Sequence, residues 1–275
     1  MKLITWNTQW CCGLDGVVSP WRIVDGARQM ADFDVLCLQE IAQGYPGMPG
    51  APGDQPAELA ALLPGFQLFF GAAVDEFTAD GRRQRFGNLI ATRLPVRQVQ
   101  HHALPWPADG GVTSMPRMCT VLTLHDPQLG ALRVMTTHLE YYSARQRMAQ
   151  ARALCELHAQ ACAQAAAPPA DDPGSPFQAK THTPAAILCG DFNLEASAPE
   201  YALLTASGLH DAWALRHGPR AQDPTFRLFD RRYGPDPMAC DFVFVSAALA
   251  PRVTQVQVDG ATQASDHQPV LLELG

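Results

Sequence analysis

Eight polar side chains suited to proton transfer or metal binding lie at the ends of apolar, strand-like segments. Asn7, Glu40, His138, Asp191 and Asn193 follow such segments, whereas Asp241, Asp266 and His267 precede them. In a mixed sheet, the ends of strands running one way lie beside the starts of strands running the other way. The sequence therefore predicts that all eight side chains meet on one rim.

The residue types of this set fit one kind of chemistry. Glutamate and aspartate offer hard oxygen ligands to a divalent cation, asparagine acts as a neutral ligand or donor, and histidine exchanges protons near neutral pH. Such groups can hydrolyse a phosphate ester by neutralising its non-bridging oxygens, holding an in-line water and stabilising the leaving group. This chemistry needs no serine or cysteine nucleophile.

The most informative local segment runs from Leu188 to Asn193. An apolar strand ends in Gly190, and a carboxylate and a carboxamide then follow two residues apart, so that both point the same way while Phe192 turns to the core. The same pattern is equally compatible with a simple Asx turn after a buried strand. The adjacent pair Asp266 and His267, taken alone, is more often merely solvated. The hypothesis therefore depends on the whole set.

The elements that must position these residues are mainly short strands. Ten apolar or β-branched runs predict them. They cover residues 3–6, 34–39, 66–70, 89–92, 120–124, 132–137, 185–188, 242–245, 254–258 and 270–274. We predict an α+β fold, a four-layer α/β sandwich in which two packed mixed β-sheets are flanked by helices.

Three helices and two irregular segments complete the prediction. Ser19 and Pro20 cap a helix that includes Met30, and further helices are predicted over 143–164 and near 199–206. Residues 43–56 are rich in glycine and proline and predict a loop. Residues 165–184 show no periodicity and predict a mobile insertion within a single domain spanning 1–275.

Composition limits the function classes without choosing among them. Hydrophobic residues make up 47% of the 275, enough for a sizeable core. The net charge of −7 gives no basic footprint for nucleic acid, but a site built from carboxylates is acidic by design and its metal reverses the local field. No apolar run is long enough to span a membrane, and the first residues lack a secretion signal, so we expect a cytoplasmic location. The eight cysteines favour buried free thiols.

Six ordered motifs give the chain a resemblance to a known group. They are Trp6-Asn7, Gln39-Glu40, Thr137-His138-Leu139, Gly190-Asp191-Phe192-Asn193, Asp241-Phe242-Val243-Phe244-Val245-Ser246 and Ser265-Asp266-His267. The chain resembles the endonuclease/exonuclease/phosphatase superfamily, which contains pancreatic-type deoxyribonuclease, apurinic-site endonucleases, sphingomyelinases and inositol polyphosphate phosphatases. The resemblance extends from Trp6 to Val270. It specifies the superfamily and leaves the substrate open.

The resemblance implies a metal site and a cofactor. Glu40 would bind the essential Mg²⁺, for which Mn²⁺ is the alternative, with Asn7 and Asp266 near it.

The resemblance also implies catalytic roles. Asp191 would orient or deprotonate the attacking water, and Asn193 would hold the scissile phosphate. His267, paired with Asp241, and His138 would stabilise or protonate phosphate oxygens.

Two further residues have alternative roles. Arg117 contacts either the phosphate or a structural ion-pair partner. In the deoxyribonuclease-like members, an acidic residue supports the histidine that corresponds to His138, but here Arg85 and Phe86 stand in its place. Glu140 could substitute for it, or it is a solvated side chain.

The functional hypothesis is a metal-dependent phosphodiester hydrolase, a nuclease acting on nucleic acid or on a nucleotide-like diester. The alternative is a phosphatase or phospholipase-type enzyme acting on a small phosphorylated headgroup, as sphingomyelinases and inositol phosphate phosphatases do. A remote alternative, a non-catalytic binding module, predicts losses among the eight polar positions, and all eight are present. The partner is therefore expected to be a phosphoester substrate, with no obligate protein partner.

Overall fold

Two six-stranded sheets pack face to face in this protein. The computed structural model describes residues 1–170, 174–177 and 180–275. The strands are β1 Lys2–Asn7, β2 Val35–Gln43, β3 Gln67–Phe77, β4 Arg83–Thr92, β5 Val96–Ala103, β6 Met118–Asp126, β7 Gly130–His138, β8 Ala186–Asp191, β9 Leu209–Asp211, β10 Asp241–Ser246, β11 Val253–Val258 and β12 Val270–Leu274. The helices are α1 Pro20–Met30, α2 Gln55–Leu62, α3 Ala144–Ala166, α4 Pro199–Ala206 and α5 Ala212–His217, with a 3-10 turn at Ala250–Arg252.

Each sheet contains one parallel pair among antiparallel neighbours. The first sheet has the order β11-β12-β1-β2-β4-β3, and the second has the order β5-β6-β7-β8-β10-β9. The parallel pairs are β1 with β2 and β7 with β8. Both sheets are therefore mixed, as predicted.

The core has one layer between the sheets and one on each outer face. Leu3 and Val35 of the first sheet and Ile187 and Val245 of the second lie in the same buried cluster between the sheets. Their chain neighbours point outward, because side chains alternate along a strand. On the first sheet they pack against α1 and α2, and on the second against α3 and α4. The four-layer sandwich is thereby confirmed.

Local signals explain why the predicted helices form. The hydroxyl of Ser19 accepts a hydrogen bond from the Arg22 amide, and Pro20 occupies the first turn of α1. Ser143 caps α3 in the same way by accepting from the Gln146 amide at 3.1 Å. The helix predicted over 143–164 runs from Ala144 to Ala166.

Four elements, α2, β5, β9 and α5, differ from the sequence prediction, and the first two show why. Helix α2 begins at Gln55, inside the segment predicted as a loop, because Asp54 caps it and Pro56 fits its first turn. Strand β5 contains His101 and His102 and was not predicted, because this largely exposed strand at the edge of its sheet carries polar residues. Within the predicted insertion 165–184, residues 171–173 and 178–179 lie outside the described residues.

The predictions about membrane-spanning segments and about the cysteines can also be compared with the structure. Across the described ranges, no helix combines the length and the apolar character needed to cross a membrane. All eight cysteines are free thiols, and six of them are buried. The prediction of buried free thiols agrees with the state of these six.

The register of the central strands brings the predicted site residues to one end of the sandwich. His138 at the end of β7 pairs with Asp191 at the end of β8. Asp191 pairs in turn with Asp241, which starts the antiparallel strand β10. In the first sheet, Asn7 pairs with Gln39, next to Glu40. The ends of parallel strands and the start of an antiparallel strand therefore meet, as predicted.

Candidate active site

Glu40 reaches the site because strand β2 is irregular at this point. The pairing of β2 with β4 shifts register between Leu38 and Ile41, and Glu40 has a left-handed backbone with φ of 60°. A β-bulge of this kind re-aims a side chain that regular pleating would direct elsewhere. The Glu40 carboxylate accepts a hydrogen bond from Asn7 Nδ2 at 3.1 Å.

Asp191 and Asn193 are placed by a turn that depends on Gly190. Gly190 has φ of 138°, and a Cβ there would lie 1.9 Å from the carbonyl oxygen of Thr137, so only glycine fits. The Asp191 Oδ1 atom accepts from the Asn193 amide at 2.9 Å, which is the Asx turn that the sequence allowed. Its Oδ2 atom accepts from Asn7 Nδ2 at 2.9 Å. The turn and the functional interpretation are thus compatible.

His267 is held by hydrogen bonding and stacking. Its Nδ1 atom lies 2.9 Å from Asp241 Oδ2, and its Nε2 atom lies 3.8 Å from Asp191 Oδ2. The Phe226 ring stacks on the imidazole at 4.3 Å. Burial alone would lower the pKa of His267, but the carboxylates of Asp241 and Asp191 outweigh it and raise the pKa well above its ordinary value. His267 is therefore a cation near neutral pH.

His138, unlike His267, is uncharged near neutral pH. Its pKa is held well below the ordinary value by burial and by the positive charges of Arg117 and His267. Its Nε2 atom lies 3.0 Å from Asn193 Nδ2 and 3.3 Å from Asp191 Oδ2. Within the described chain its buried Nδ1 atom has no hydrogen-bond partner. The Asp191 carboxylate therefore lies next to two imidazoles, the neutral one of His138 and the cationic one of His267.

Glu140 does not support His138. It is fully buried and accepts a hydrogen bond from Arg117 Nε at 3.2 Å, so it is neither a partner of His138 nor solvated. The Glu140 carboxylate also accepts from the Tyr142 amide at 3.0 Å. The acid nearest to the free nitrogen of His138 is Glu40, at 3.9 Å. Arg117 therefore has features of both predicted roles. Its Nε atom forms the ion pair with Glu140, whereas its Nη1 atom has no partner among the described residues.

Carboxylates crowd this end of the sandwich, where Asp191 and Asp266 are buried and Glu40 is half-buried. Burial, followed by the charge of Asp266, raises the pKa of Glu40 to about 7. Burial is also the main cause that raises the pKa of Asp191 to about 6, and it raises that of Asp266. The site therefore has an excess of negative charge that a divalent cation would relieve.

The donor set fits a hard cation better than a soft one. Glu40 and Asp266 offer carboxylate oxygens, which Mg²⁺ and Mn²⁺ prefer. Asn7 directs its amide nitrogen to Glu40, while its oxygen accepts from the Gln9 amide at 3.1 Å. A second group, Asp191, Cys240, Asp241 and His267, has ligand atoms within 4.8 Å of one another. The hydrogen bond between Asp241 and His267 accounts for much of that proximity.

A cavity of about 220 Å³ opens over these groups. Besides Trp10 and predicted residues, its wall contains Gln9, Phe226 and Tyr233, which were not predicted from the sequence to belong to the site. Gln9 Nε2 donates to Asp266 Oδ2 at 3.1 Å. The position of Gln9 two residues after Asn7 was the one available signal. Phe226 and Tyr233 lie in a loop with no strand or helix pattern to place them.

Comparison with known proteins agrees with this geometry. The family described as Endonuclease/Exonuclease/phosphatase matches residues 4–267. No curated protein matches the chain in sequence.

Several solved structures have the same fold and align with this chain over its entire length. An endonuclease/exonuclease/phosphatase from Beutenbergia cavernae DSM 12333 has 25% identity and a TM-score of 0.73 over 72% of its own length. A mannosyl-6-phosphatase from Bacteroides thetaiotaomicron VPI-5482 has 19% identity and a TM-score of 0.71 over 99% of its length. The 3′ phosphatase NExo from Neisseria, bound to a product DNA hairpin, has 22% identity and a TM-score of 0.62 over 99% of its length.

The crowding of carboxylates predicts an effect of Glu40→Gln on stability. The folded pKa of Glu40, about 7, lies above the ordinary 4.5, so the folded state binds the extra proton between these pH values and loses stability as pH rises through them. With divalent cations chelated, Glu40→Gln should therefore raise the free energy of unfolding at pH 8 by about 2 kcal/mol. The difference should shrink at pH 5. Urea denaturation at both pH values measures it.

Glu195 is exposed, so Glu195→Gln is the matched control. It should leave the free energy of unfolding unchanged at both pH values. Parallel pH dependences for wild type and Glu40→Gln would contradict the raised pKa of Glu40.

Proposed function

The chain belongs to the endonuclease/exonuclease/phosphatase family, and from this premise we propose that it hydrolyses phosphodiesters with Mg²⁺, for which Mn²⁺ is the alternative. Its proposed substrates are nucleic acids or nucleotide-like diesters. The supporting observation is the surroundings of Asp191, whose Oδ2 atom lies within 3.8 Å of nitrogens from Asn7, His138 and His267. A water and a phosphate placed there would meet a base, an acid and neutral donors at once.

Asp191 is the proposed base. Its carboxylate orients the attacking water and takes up its proton. A pKa of about 6 suits this role, because a base works best when its pKa lies near the operating pH. Asn7 holds the carboxylate in position through its amide nitrogen.

His267 is the proposed proton donor. Asp241 fixes its Nδ1 atom and stabilises the imidazolium, which leaves Nε2 directed toward Asp191 and the phosphate region. An ionised carboxylate and a protonated imidazole then coexist near neutral pH, which is the pairing that acid–base hydrolysis requires.

His138 and Asn193 are proposed to contact the non-bridging phosphate oxygens as uncharged groups, and for this the Asn193 amide nitrogen, which donates to the Leu139 carbonyl at 2.9 Å, would turn toward the phosphate. A cation bound by Glu40 and Asp266, with Asn7 beside it, would neutralise charge on the same oxygens.

Substitution of Asp191 tests the proposal directly. Asp191→Asn preserves the size of the side chain but removes the base, so turnover of bis-p-nitrophenyl phosphate should fall by about 10²- to 10⁴-fold. Activity should vanish with a chelator and return with Mg²⁺. Circular dichroism should show an unchanged fold. Glu195→Gln serves as the control, and near-wild-type turnover by Asp191→Asn would refute the assignment.

Arg117 is proposed to bind the phosphate through Nη1 while Glu140 holds its Nε. Arg117→Lys loses the planar fork and should weaken inhibition by inorganic phosphate roughly 10-fold or more, since a hydrogen bond to a charged group contributes about 1.5–3 kcal/mol. Buried Arg133→Lys, which lies outside the cavity, controls for the loss of a buried arginine. An ion pair with a purely structural role predicts lower stability and an unchanged inhibition constant.

A second candidate is a phosphatase or phospholipase-type enzyme acting on a small phosphorylated headgroup. The small size of the cavity favours it, as does the shared fold of the Bacteroides thetaiotaomicron protein, which is a mannosyl-6-phosphatase. A substrate panel of plasmid DNA, single-stranded RNA, sphingomyelin, inositol phosphates and mannose 6-phosphate separates the candidates by kcat/KM. We expect the nucleotide substrates to rank first, and a headgroup ranking first would favour the second candidate.

A further inference from the structure

The catalytic cavity continues into a second groove. The groove has a volume of about 480 Å³ and shares Gln9, Trp10 and Tyr233 with the wall of the cavity. Beyond them it reaches Phe229 and Arg232. A substrate whose phosphate lies at Asp191 can therefore extend one substituent into this groove without leaving the protein surface.

Aromatic rings form a continuous path along this region. Successive ring centroids lie 4.3 Å apart from His267 to Phe226, 6.0 Å to Tyr233, 6.4 Å to Tyr141 and 4.8 Å to Tyr142. Tyr233 has 45% of its surface exposed, and Phe229, farther along the groove, has 46%. Exposed rings beside a catalytic cavity contribute little to the core and offer faces for a ligand.

The backbone before α1 holds Trp10 at the junction of cavity and groove. Gln9, Trp10 and Cys11 are consecutive non-glycine residues with φ of 48°, 44° and 56°. This conformation is unfavourable for L-residues and persists only where the surroundings enforce it. Trp10 Nε1 donates to the Pro49 carbonyl at 3.1 Å, and the Trp10 carbonyl accepts from Gln55 Nε2. The indole is therefore preorganised before any ligand arrives.

The groove has polar edges that suit a heteroaromatic ring. Asp230 and Arg232 form an ion pair of 2.6 Å along its wall, and the Gln9 amide lies at its inner end. An alkyl chain would desolvate these groups without satisfying them. A base offers a flat face to the rings and hydrogen-bonding atoms at its edge.

The charge near the groove argues against a long polyanion. Arg232, in the wall of the groove, is neutralised by Asp230. Its chain neighbours Arg227 and Arg231 donate to the carbonyls of Tyr233 and Pro235. The net charge of the chain is −7. Binding along a duplex requires several unpaired cations that track the phosphates. One base beside one phosphate needs only stacking and a few polar contacts.

We propose that the groove is a base-binding subsite, in which the faces of Trp10 and Tyr233 stack a heteroaromatic base attached to the scissile phosphodiester. The substrate class is thus a nucleotide ester or the end of a single strand. This inference rests on the proposed function, since it assumes that the phosphate is hydrolysed at Asp191.

Two substrates with the same leaving group test the subsite. Methyl p-nitrophenyl phosphate and thymidine 5′-(p-nitrophenyl phosphate) both release p-nitrophenolate, but only the second carries a base. With Mg²⁺, wild-type protein should have a kcat/KM at least 10-fold higher for the thymidine ester, because stacking contributes about 1–3 kcal/mol per base. Trp10→Leu and Tyr233→Leu should each remove most of this preference, which is read as the ratio of the two kcat/KM values, so that any shared change in hydrolysis of both esters cancels.

Trp21→Leu is the matched control, because Trp21 is exposed on α1 and lies outside both the cavity and the groove. It should leave both substrates unaffected. Equal losses with both esters, or equal kcat/KM in wild type, would overturn the subsite while leaving the proposed function intact. If the wild-type protein hydrolysed neither ester, the proposed function itself would be refuted.

A binding measurement gives an independent readout. Calorimetric titration of Asp191→Asn with thymidine 5′-monophosphate should give a dissociation constant that rises about 10-fold when Trp10→Leu is added, because the stacking contribution of about 1–3 kcal/mol is lost. Inorganic phosphate, which lacks the base, should bind equally well to both proteins. An unchanged affinity for the nucleotide would contradict the subsite.

Discussion

The poor solvation of carboxylates crowded together at one end of the sandwich, with their mutual repulsion, is the constraint on which the arrangement of this protein depends. Asp191, Asp241 and Asp266 are buried there and Glu40 is half-buried, so charge on this group of side chains is poorly solvated. The fold offsets the repulsion with fixed partners. Asn7 donates to two of the carboxylates, and His267 pairs with a third. A divalent cation would complete this compensation.

The two sheets are needed because no single element could assemble this group. Register aligns His138, Asp191 and Asp241 across three neighbouring strands of the second sheet. The first sheet delivers Asn7 and the bulged Glu40 from the opposite side. The loop before β12 is fixed to the first sheet, since Trp6 Nε1 donates to the His267 carbonyl at 2.9 Å. Packing of the sandwich therefore sets the distances within the site.

The two histidines differ although both are buried beside Asp191. Asp241 gives His267 a charge partner, whereas His138 faces the neighbouring positive charge of Arg117. The buried Glu140 is committed to that arginine, so it cannot raise the pKa of His138. One imidazole is therefore suited to donate a proton and the other to act as a neutral ligand-binding group. The proposed base-binding groove lies next to them, beyond Trp10 and Tyr233.

The sequence by itself determined the family, the sandwich of mixed sheets and the eight polar residues at one rim. These features depend on short-range patterns, namely apolar alternation along strands and polar residues at their ends. Tertiary structure alone decided that Glu140 pairs with Arg117, that Phe226 stacks on His267 and that Trp10 and Tyr233 join the cavity to a groove. Those contacts join residues far apart in the chain or in irregular loops, where no periodicity encodes the direction of a side chain. Helix α2 and edge strand β5 were missed for a related reason, because a cap within a glycine-rich segment and a polar edge strand give weak local signals.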